Sequence, residues 1–146
     1  MDLQRAAGLQ SGFSVITGSD PAANAEGLIT VPAGKWYEVL LATLVVVQGA
    51  TQTPQPLLQI DDGSTVLWEG FGSSAAQAVN TTCRYCWAPG LTLTAQVGAT
   101  TGVRSQAPLP EKLILGPGYR VNTVTIGKGA NTDLAAPVLH VAEYGR

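Results

Sequence analysis

The chain is dominated by short hydrophobic runs, separated every few positions by glycine, proline, asparagine or aspartate. The runs are rich in valine, isoleucine, leucine and threonine, which favour strands because these side chains fit a pleated, half-buried surface. Helical periodicity is confined to residues 1–10, for which an extended arm is an equal alternative. The predicted strands cover residues 13–17, 28–31, 36–48, 57–61, 65–69, 79–87, 91–97, 111–115, 119–126 and 137–144.

One turn has a strong sequence signal. Asp62 and Gly63 separate two predicted strands, and both residue types tolerate the positive φ of a tight hairpin turn. The run Asp61-Asp62-Gly63-Ser64 also resembles the start of a calcium loop. A calcium loop of the EF-hand kind needs a later bidentate glutamate and flanking helices, and Glu69 comes too early. The hairpin is therefore the favoured interpretation.

Turn signals at short intervals predict a two-layered β protein. In residues 91–97 alternation places Leu91, Leu93, Ala95 and Val97 on one buried face. The chain has no room for crossover helices between parallel strands, so we predict antiparallel sheets. The fold class is thus all-β, an antiparallel, jelly-roll-like β-sandwich of about eight to ten strands. Residues 1–27 are predicted as an N-terminal arm or docking segment and residues 28–146 as the sandwich domain.

The strongest apolar run, residues 39–47, does not alternate. A strand that is apolar on both sides is covered on both sides. We expect the opposite sheet to cover one side, and the N-terminal arm or a neighbouring subunit to cover the other.

Composition narrows the function classes. The 146 residues suit one domain, and only 12% are charged, about half of the usual ~25%. The net charge is −2, and no lysine/arginine cluster exists, which argues against nucleic acid and membrane surfaces as partners. No apolar run reaches the length of a membrane span and no signal peptide is visible, so we expect synthesis in a cytoplasm.

Catalytic and metal-binding constellations are weak. His140 is the only histidine and lies in the last predicted strand among valines and leucine, where a structural role is the simpler interpretation. Cys83 and Cys86 form a lone C-x-x-C pair without the helical context of a redox site, and in a strand they point to opposite faces. We therefore predict a protein that is not an enzyme, with no cofactor and no metal site.

The aromatic residues leave one alternative open. Trp36, Trp68 and Trp87 would form a platform for stacking on sugar rings if all were exposed on one face. Tryptophans are also common in sandwich cores, and we expect at least one of them to be buried.

Two phrases carry a resemblance to a known group of proteins. Residues 28–40 (LITVPAGKWYEVL) combine a strand, a proline-glycine turn, a basic residue and a long strand, and residues 113–121 (LILGPGYRV) combine a strand, a glycine turn, an aromatic residue and a strand. With the Asp62-Gly63 hairpin between them, the chain resembles the small β-sandwich virion proteins of tailed bacteriophages from Leu28 to Tyr144. Within that group it is most similar to head decoration (cement) proteins.

The resemblance implies a function, a location and partners. It implies a non-enzymatic protein on the capsid surface of a virion, which binds the major capsid protein, stabilises the expanded shell and self-associates as a homotrimer. Alternatives are a tail, neck or baseplate component, or a carbohydrate-binding adhesin. The expected partner-binding residues lie in the N-terminal segment, namely Leu3, Arg5, Leu9 and Phe13.

Overall fold

The computed structural model describes residues 10–145, which form strands, turns and irregular segments. The all-β prediction is confirmed, with more strands than expected. Within this range, no helix is long and apolar enough to cross a membrane. The eleven strands are β1 (Gln10–Thr17), β2 (Leu28–Thr30), β3 (Lys35–Gln48), β4 (Gln55–Asp61), β5 (Val66–Phe71), β6 (Thr81–Pro89), β7 (Val103–Leu109), β8 (Ile114–Leu115), β9 (Arg120–Ile126), β10 (Thr132–Leu134) and β11 (Val138–Gly145).

The strands form two sheets of a sandwich. The large, seven-stranded sheet has the order β1-β11-β3-β6-β7, and the short strands β8 and β10 also pair with β3. The small, four-stranded sheet has the order β2-β9-β4-β5.

The core lies between the sheets. On β6 the buried side chains are Cys83, Tyr85 and Trp87, which alternate with the exposed Arg84 and the half-buried Cys86. Full burial of an aliphatic side chain stabilises a fold by about 1.5–3 kcal/mol relative to its exposure. Leucine and isoleucine contribute at fully buried positions from both sheets, namely Leu44, Ile60, Leu115, Leu134 and Leu139.

Strand β3 organises the large sheet because it is long enough to pair with two strands on each edge. β11 and then β10 follow one edge, and β8 and then β6 follow the other. Opposite β11, Leu41 pairs with His140 and Val39 with Val141, so Leu40 is an extra residue, a β-bulge. The buried residues of β3 are odd-numbered up to Val39 and even-numbered from Ala42 onward. The bulge causes this one-residue change of phase, which explains why the apolar run does not alternate.

The outer side of β3 is therefore only partly covered. Val45 is half-buried, and Val47 is 46% exposed. Residues 10–145 do not cover the outer side of β3 completely, and cover from the rest of the N-terminal arm stays a prediction. Cover from another subunit stays a prediction.

The hairpin between β4 and β5 is confirmed. Asp61 Oδ1 accepts the Gly63 N–H at 2.7 Å, and Asp62 Oδ1 accepts the N–H groups of Ser64 and Thr65 at 2.9 and 2.8 Å. Gly63 has a φ of +98°, which a residue with a Cβ rarely adopts. Both carboxylates therefore act as acceptors within the turn, as a hairpin requires and a calcium loop does not.

One segment was predicted wrongly. Residues 91–97 are not a strand apart from a single bridge at Val97, and Leu93 and Val97, expected in the core, are 40% and 67% exposed. The strand in this region is instead β7, which alternates Val103, Ser105 and Ala107 inward. Small and polar inward residues gave it no strong hydrophobic signal.

The prediction of purely antiparallel sheets is also wrong for one strand pair. β6 and β7 pair in parallel, with Cys83 opposite Val103 at one end and Pro89 opposite Leu109 at the other. The irregular segment 90–102 connects them. A crossover therefore needs no helix here, which is why the absence of helical patterning did not exclude it.

Part of the predicted N-terminal arm belongs to the sandwich. β1 pairs with β11 along its whole length, from Gln10 opposite Gly145 to Thr17 opposite Val138. After β1, the Gly18 N–H donates to the Pro137 carbonyl at 2.9 Å. Residues 1–9 lie outside the described residues, and the docking role of residues 1–27 stays a prediction.

Candidate interaction surface

His140 has no catalytic neighbours among residues 10–145. It lies half-buried on β11, on the outward side of the large sheet, where Val15 and Leu41 are its cross-strand neighbours. No acid or nucleophile in that range hydrogen-bonds to its ring. A Ser-His-Asp or Cys-His arrangement needs such contacts, so the described residues do not assemble one.

The two thiols are separated as the strand pattern predicted. Both cysteines are free, with Cys83 buried in the core and Cys86 half-buried on the outward side of β6. Burial raises the pKa of Cys83 to about 11 and also raises the pKa of Cys86. Both thiols are therefore protonated at neutral pH, whereas a nucleophile or metal ligand must be a thiolate.

Three acidic residues form ion pairs within the fold. Asp61 accepts from Arg120 Nε at 2.6 Å, Glu26 pairs with Lys128 Nζ at 2.7 Å, and Glu143 pairs with Lys35. The hydrogen bond from Arg120 lowers the pKa of Asp61, and that from Lys35 lowers the pKa of Glu143. Within the part of the chain that the structure describes, no three acidic, histidine or cysteine side chains are placed to hold a metal ion.

The three tryptophans do not share a surface. Trp87 has 0% exposure and donates its indole N–H to the Gly70 carbonyl at 3.2 Å. Trp68 is partly buried against the core, and only Trp36 is substantially exposed, at 45%. A joint aromatic platform is therefore wrong, because a sugar ring cannot stack on a buried indole, and burial of at least one tryptophan is confirmed.

The predicted partner-binding residues can be followed at one position. Phe13 lies on β1 with 85% of its surface exposed, more than any other large hydrophobic residue that the structure describes. Leu3, Arg5 and Leu9 lie outside the described residues. Exposure of Phe13 does not identify a partner, and its binding role stays a prediction.

Phe13 is one of several exposed apolar residues on the outward side of the large sheet. The outward side of the large sheet carries Phe13, Val15, Trp36 and Val47, which are 85%, 61%, 45% and 46% exposed. Half-buried apolar side chains share this side in the strand register, namely Leu41, Val45, Val138 and Ala142, and they alternate with polar side chains, namely Glu38, Thr43 and His140. We call this set of residues the outer face. Several exposed apolar side chains on one face of a sheet are typical of an interaction site.

The two edges of the large sheet differ. β1 pairs only with β11, and no described residue hydrogen-bonds to its other edge. At the opposite edge, the segment before β7 covers it, because Val97 and Arg104 exchange backbone hydrogen bonds at 2.8 and 2.9 Å and the Thr94 N–H donates to the Gln106 carbonyl at 3.0 Å. Phe13 and Val15 of the outer face thus lie on the strand that forms the open edge.

Two arginines lie at the covered edge. Arg84 on β6 and Arg104 on β7 are directly opposite each other in the parallel register, and both are exposed on the outward side of the sheet. The sequence did not reveal this pair because β7 was not predicted. The alternation of residues 103–109, small or apolar at every second position, was the available signal.

Comparisons with protein-family models, with curated proteins and with solved structures find no match for this chain.

Proposed function

We propose that this protein is a non-enzymatic structural component of a tailed-bacteriophage virion, a decoration or cement protein on the outer surface of the head. In this proposal it is made in the host cytoplasm, self-associates as a homotrimer and binds the major capsid protein. The observation that carries the proposal is the outer face beside the open edge of β1. An apolar sheet face next to an unpaired strand suits burial against neighbouring subunits.

The physical logic of such a role is multivalent binding. A rigid sandwich that contacts several capsid subunits at once gains effective concentration from each added contact. It stabilises the one shell conformation that presents all contacts together, because ligands stabilise the state that they bind. Sparse charge, 12% of residues, is compatible with burial of a large part of the surface in an assembly.

Particle composition tests the proposal. We would purify the virions whose genome carries this gene and count the copies of the protein per particle by quantitative mass spectrometry. We expect an abundance comparable to that of the major capsid protein. A much lower abundance would favour a tail, neck or baseplate position, and absence from the particle would contradict a virion role.

Surface variants test the interface. Phe13→Ser and Val15→Ser, on the outer face, are expected to weaken rebinding to particles that lack the protein. Val66→Ser is the matched control, since Val66 is 50% exposed but lies on β5 of the small sheet. Equal rebinding of all three variants would show that the outer face is not the contact surface.

A further inference from the structure

Arg84 and Arg104 form an unusual pair in the large sheet. Directly opposed like charges on neighbouring strands destabilise a sheet because their side chains lie close together. Lys35, Arg120 and Lys128, by contrast, each form an ion pair with a carboxylate. Neither Arg84 nor Arg104 has an acidic partner within residues 10–145. Their positive charge is thus locally uncompensated in a chain whose net charge is −2.

The two arginines also separate two hollows on the outward side of the sheet. One hollow has a volume of about 320 Å³ and is lined by Arg84, Arg104, Cys86, Thr94, Val97 and Gln106 together with Ser105. The other has a volume of about 240 Å³ and shares both arginines, adding Val45, Thr82, Val103 and the turn at Thr101 and Gly102. All other lining residues are uncharged. The site therefore combines two cations with hydroxyl, amide and apolar walls.

The loop beside the second hollow is held in a defined conformation. The Thr82 N–H donates to the Thr100 carbonyl at 2.8 Å, and the Gly102 N–H donates to the Ala99 carbonyl at 3.0 Å. Thr100 has a φ of +50°, an uncommon conformation for a β-branched residue. Such local strain persists where surrounding contacts fix it and is frequent at binding sites.

We propose that this double hollow binds an acidic peptide segment of an assembly partner, with a carboxylate between Arg84 and Arg104 and an apolar side chain against Val97. A guanidinium group is planar and donates two parallel hydrogen bonds to a carboxylate, so two arginines at opposed positions that line the same hollows suit a carboxylate ligand. Val97 is 67% exposed at the rim, which provides an apolar contact. That the partner belongs to a virion rests on the proposed function; the peptide chemistry does not.

A peptide fits these observations better than a nucleic acid does. Nucleic-acid affinity depends on many phosphate contacts from a broad basic surface. Here the cationic area is limited to the two arginines, and Val45 and Val97 supply apolar walls. A single carboxylate with adjacent hydrophobic side chains matches both the charge and the shape.

Binding of defined probes tests the site. We would titrate ¹⁵N-labelled full-length protein with a blocked pentapeptide of alternating glutamate and leucine, and with its glutamine counterpart. We expect saturable shifts of the Arg84 and Arg104 Nε–Hε signals with the glutamate peptide and none with the glutamine peptide. Raising the salt from about 50 mM to about 500 mM is expected to weaken binding, because salt screens exposed charges.

Variants locate the binding. Arg84→Gln and Arg104→Gln are each expected to weaken the glutamate peptide about tenfold or more, because charge-assisted hydrogen bonds are among the strongest. Lys112→Gln is the matched control, as Lys112 is an exposed cation without an ion pair within residues 10–145. Arg84→Lys and Arg104→Lys keep the positive charge but lose the planar group that donates two parallel hydrogen bonds, so intermediate affinity is expected. The amide spectra of all variants report whether they are folded.

Three outcomes would overturn the proposal. They are the absence of saturable shifts, equal binding of the two peptides, and inorganic phosphate binding as tightly as the glutamate peptide with the same shifts, which would indicate a general anion site. Failure here leaves the virion role intact, because that role is tested by particle composition. Absence of the protein from particles leaves the peptide result standing.

Discussion

At the scale of single residues, Gly72 shows how tightly the core is closed. Its carbonyl accepts the Ser105 hydroxyl at 2.8 Å, and a Cβ at this position would lie 2.6 Å from Trp87 Cζ2 and 2.7 Å from Tyr85 Cδ1. Both rings are buried, with 0% exposure, and their centroids are 6.1 Å apart. Only a residue without a side chain allows β5 to end against this aromatic pair.

Gly72→Ala is therefore expected to lower the free energy of unfolding by about 1–3 kcal/mol, the usual cost of overpacking a core. Gly12→Ala is the control, because a Cβ there has no atom within 4 Å, and a change within about 0.5 kcal/mol is expected. Urea unfolding followed by tryptophan fluorescence measures both. Similar values for the two variants would contradict the packing at Gly72.

Asp61 joins the hairpin turn to β9. Its carboxylate accepts from the Gly63 N–H, from Arg120 Nε and from the Asn122 amide. Asp61→Ala is expected to lower the free energy of unfolding by about 2 kcal/mol, since three partly buried hydrogen bonds, one of them from a charged donor, are lost together. Glu69→Ala, at an exposed position with one hydrogen bond from Gln59, is expected to change it by less than about 0.5 kcal/mol. Equal losses would contradict this role of Asp61.

The same carboxylate predicts a pH dependence. The hydrogen bond from Arg120 lowers the folded-state pKa of Asp61, so its contribution to stability is fully present above the unfolded-state pKa of about 4 and is lost as the pH falls through the folded-state pKa. We expect the difference in unfolding free energy between wild type and Asp61→Ala to be largest near pH 7 and to shrink below about pH 4. Urea unfolding at pH 7, 4 and 3 measures it, and a constant difference would contradict the prediction.

At the scale of strands and turns, β1 is an integral part of the large sheet with two different sides. Ile16 packs against the core on the inner side, whereas Val15 is 61% exposed on the outer face. If β1 were only a docking arm, the stability of the monomer would not depend on Ile16. β1 therefore combines a structural side with a side available for contact.

Ile16→Ala is expected to lower the free energy of unfolding by at least about 1 kcal/mol, because a partly buried aliphatic side chain is truncated. Val15→Ala removes similar atoms from the exposed side and is expected to stay within about 0.5 kcal/mol. Thermal unfolding of the purified variants compares them. A larger effect of Val15→Ala would indicate that the outer side of β1 is buried, for example in an oligomer.

The sequence predicted those elements whose signals are local. The Asp62-Gly63 hairpin follows from two adjacent turn residues, and the opposite orientations of Cys83 and Cys86 follow from the period of a strand. The bulge at Leu40 and the parallel strand β7 depend on pairing between distant residues. A one-residue shift in register cannot be inferred from the sequence of either strand alone. The alternation of β7 was missed because a polar residue, Ser105, occupies a buried position.

At the scale of the whole molecule, the all-β sandwich followed from the sequence, but the composition of the outer face did not. Phe13 was predicted as a contact residue, a prediction that stays untested, whereas Trp36 and Val47 join it on the outer face only through the register of β1, β11 and β3. The arginine pair required knowledge of the β6–β7 pairing. Convergence of separated strands is a tertiary property, and composition alone indicated only that charge was scarce.

The proposed homotrimer predicts a defined mass in solution. Native mass spectrometry of the full chain is expected to give a complex of three copies. Phe13→Ser is expected to shift the distribution of oligomeric states toward the monomer if the outer face forms the subunit contact. Val66→Ser, on the other sheet, is expected to leave it unchanged. A monomer for the wild type at micromolar concentration would contradict self-association in solution.

The unequal edges of the large sheet limit how copies can add to one another. Repeated edge-to-edge pairing of sheets into a fibre requires two free strand edges on every copy. Among residues 10–145, the segment around Thr94 and Val97 occupies the β7 edge, whereas the outer edge of β1 has no backbone hydrogen bond to another strand. Two copies that pair through β1 therefore present the covered β7 edge at both ends of the joined sheet, which opposes lateral growth into amyloid-like filaments.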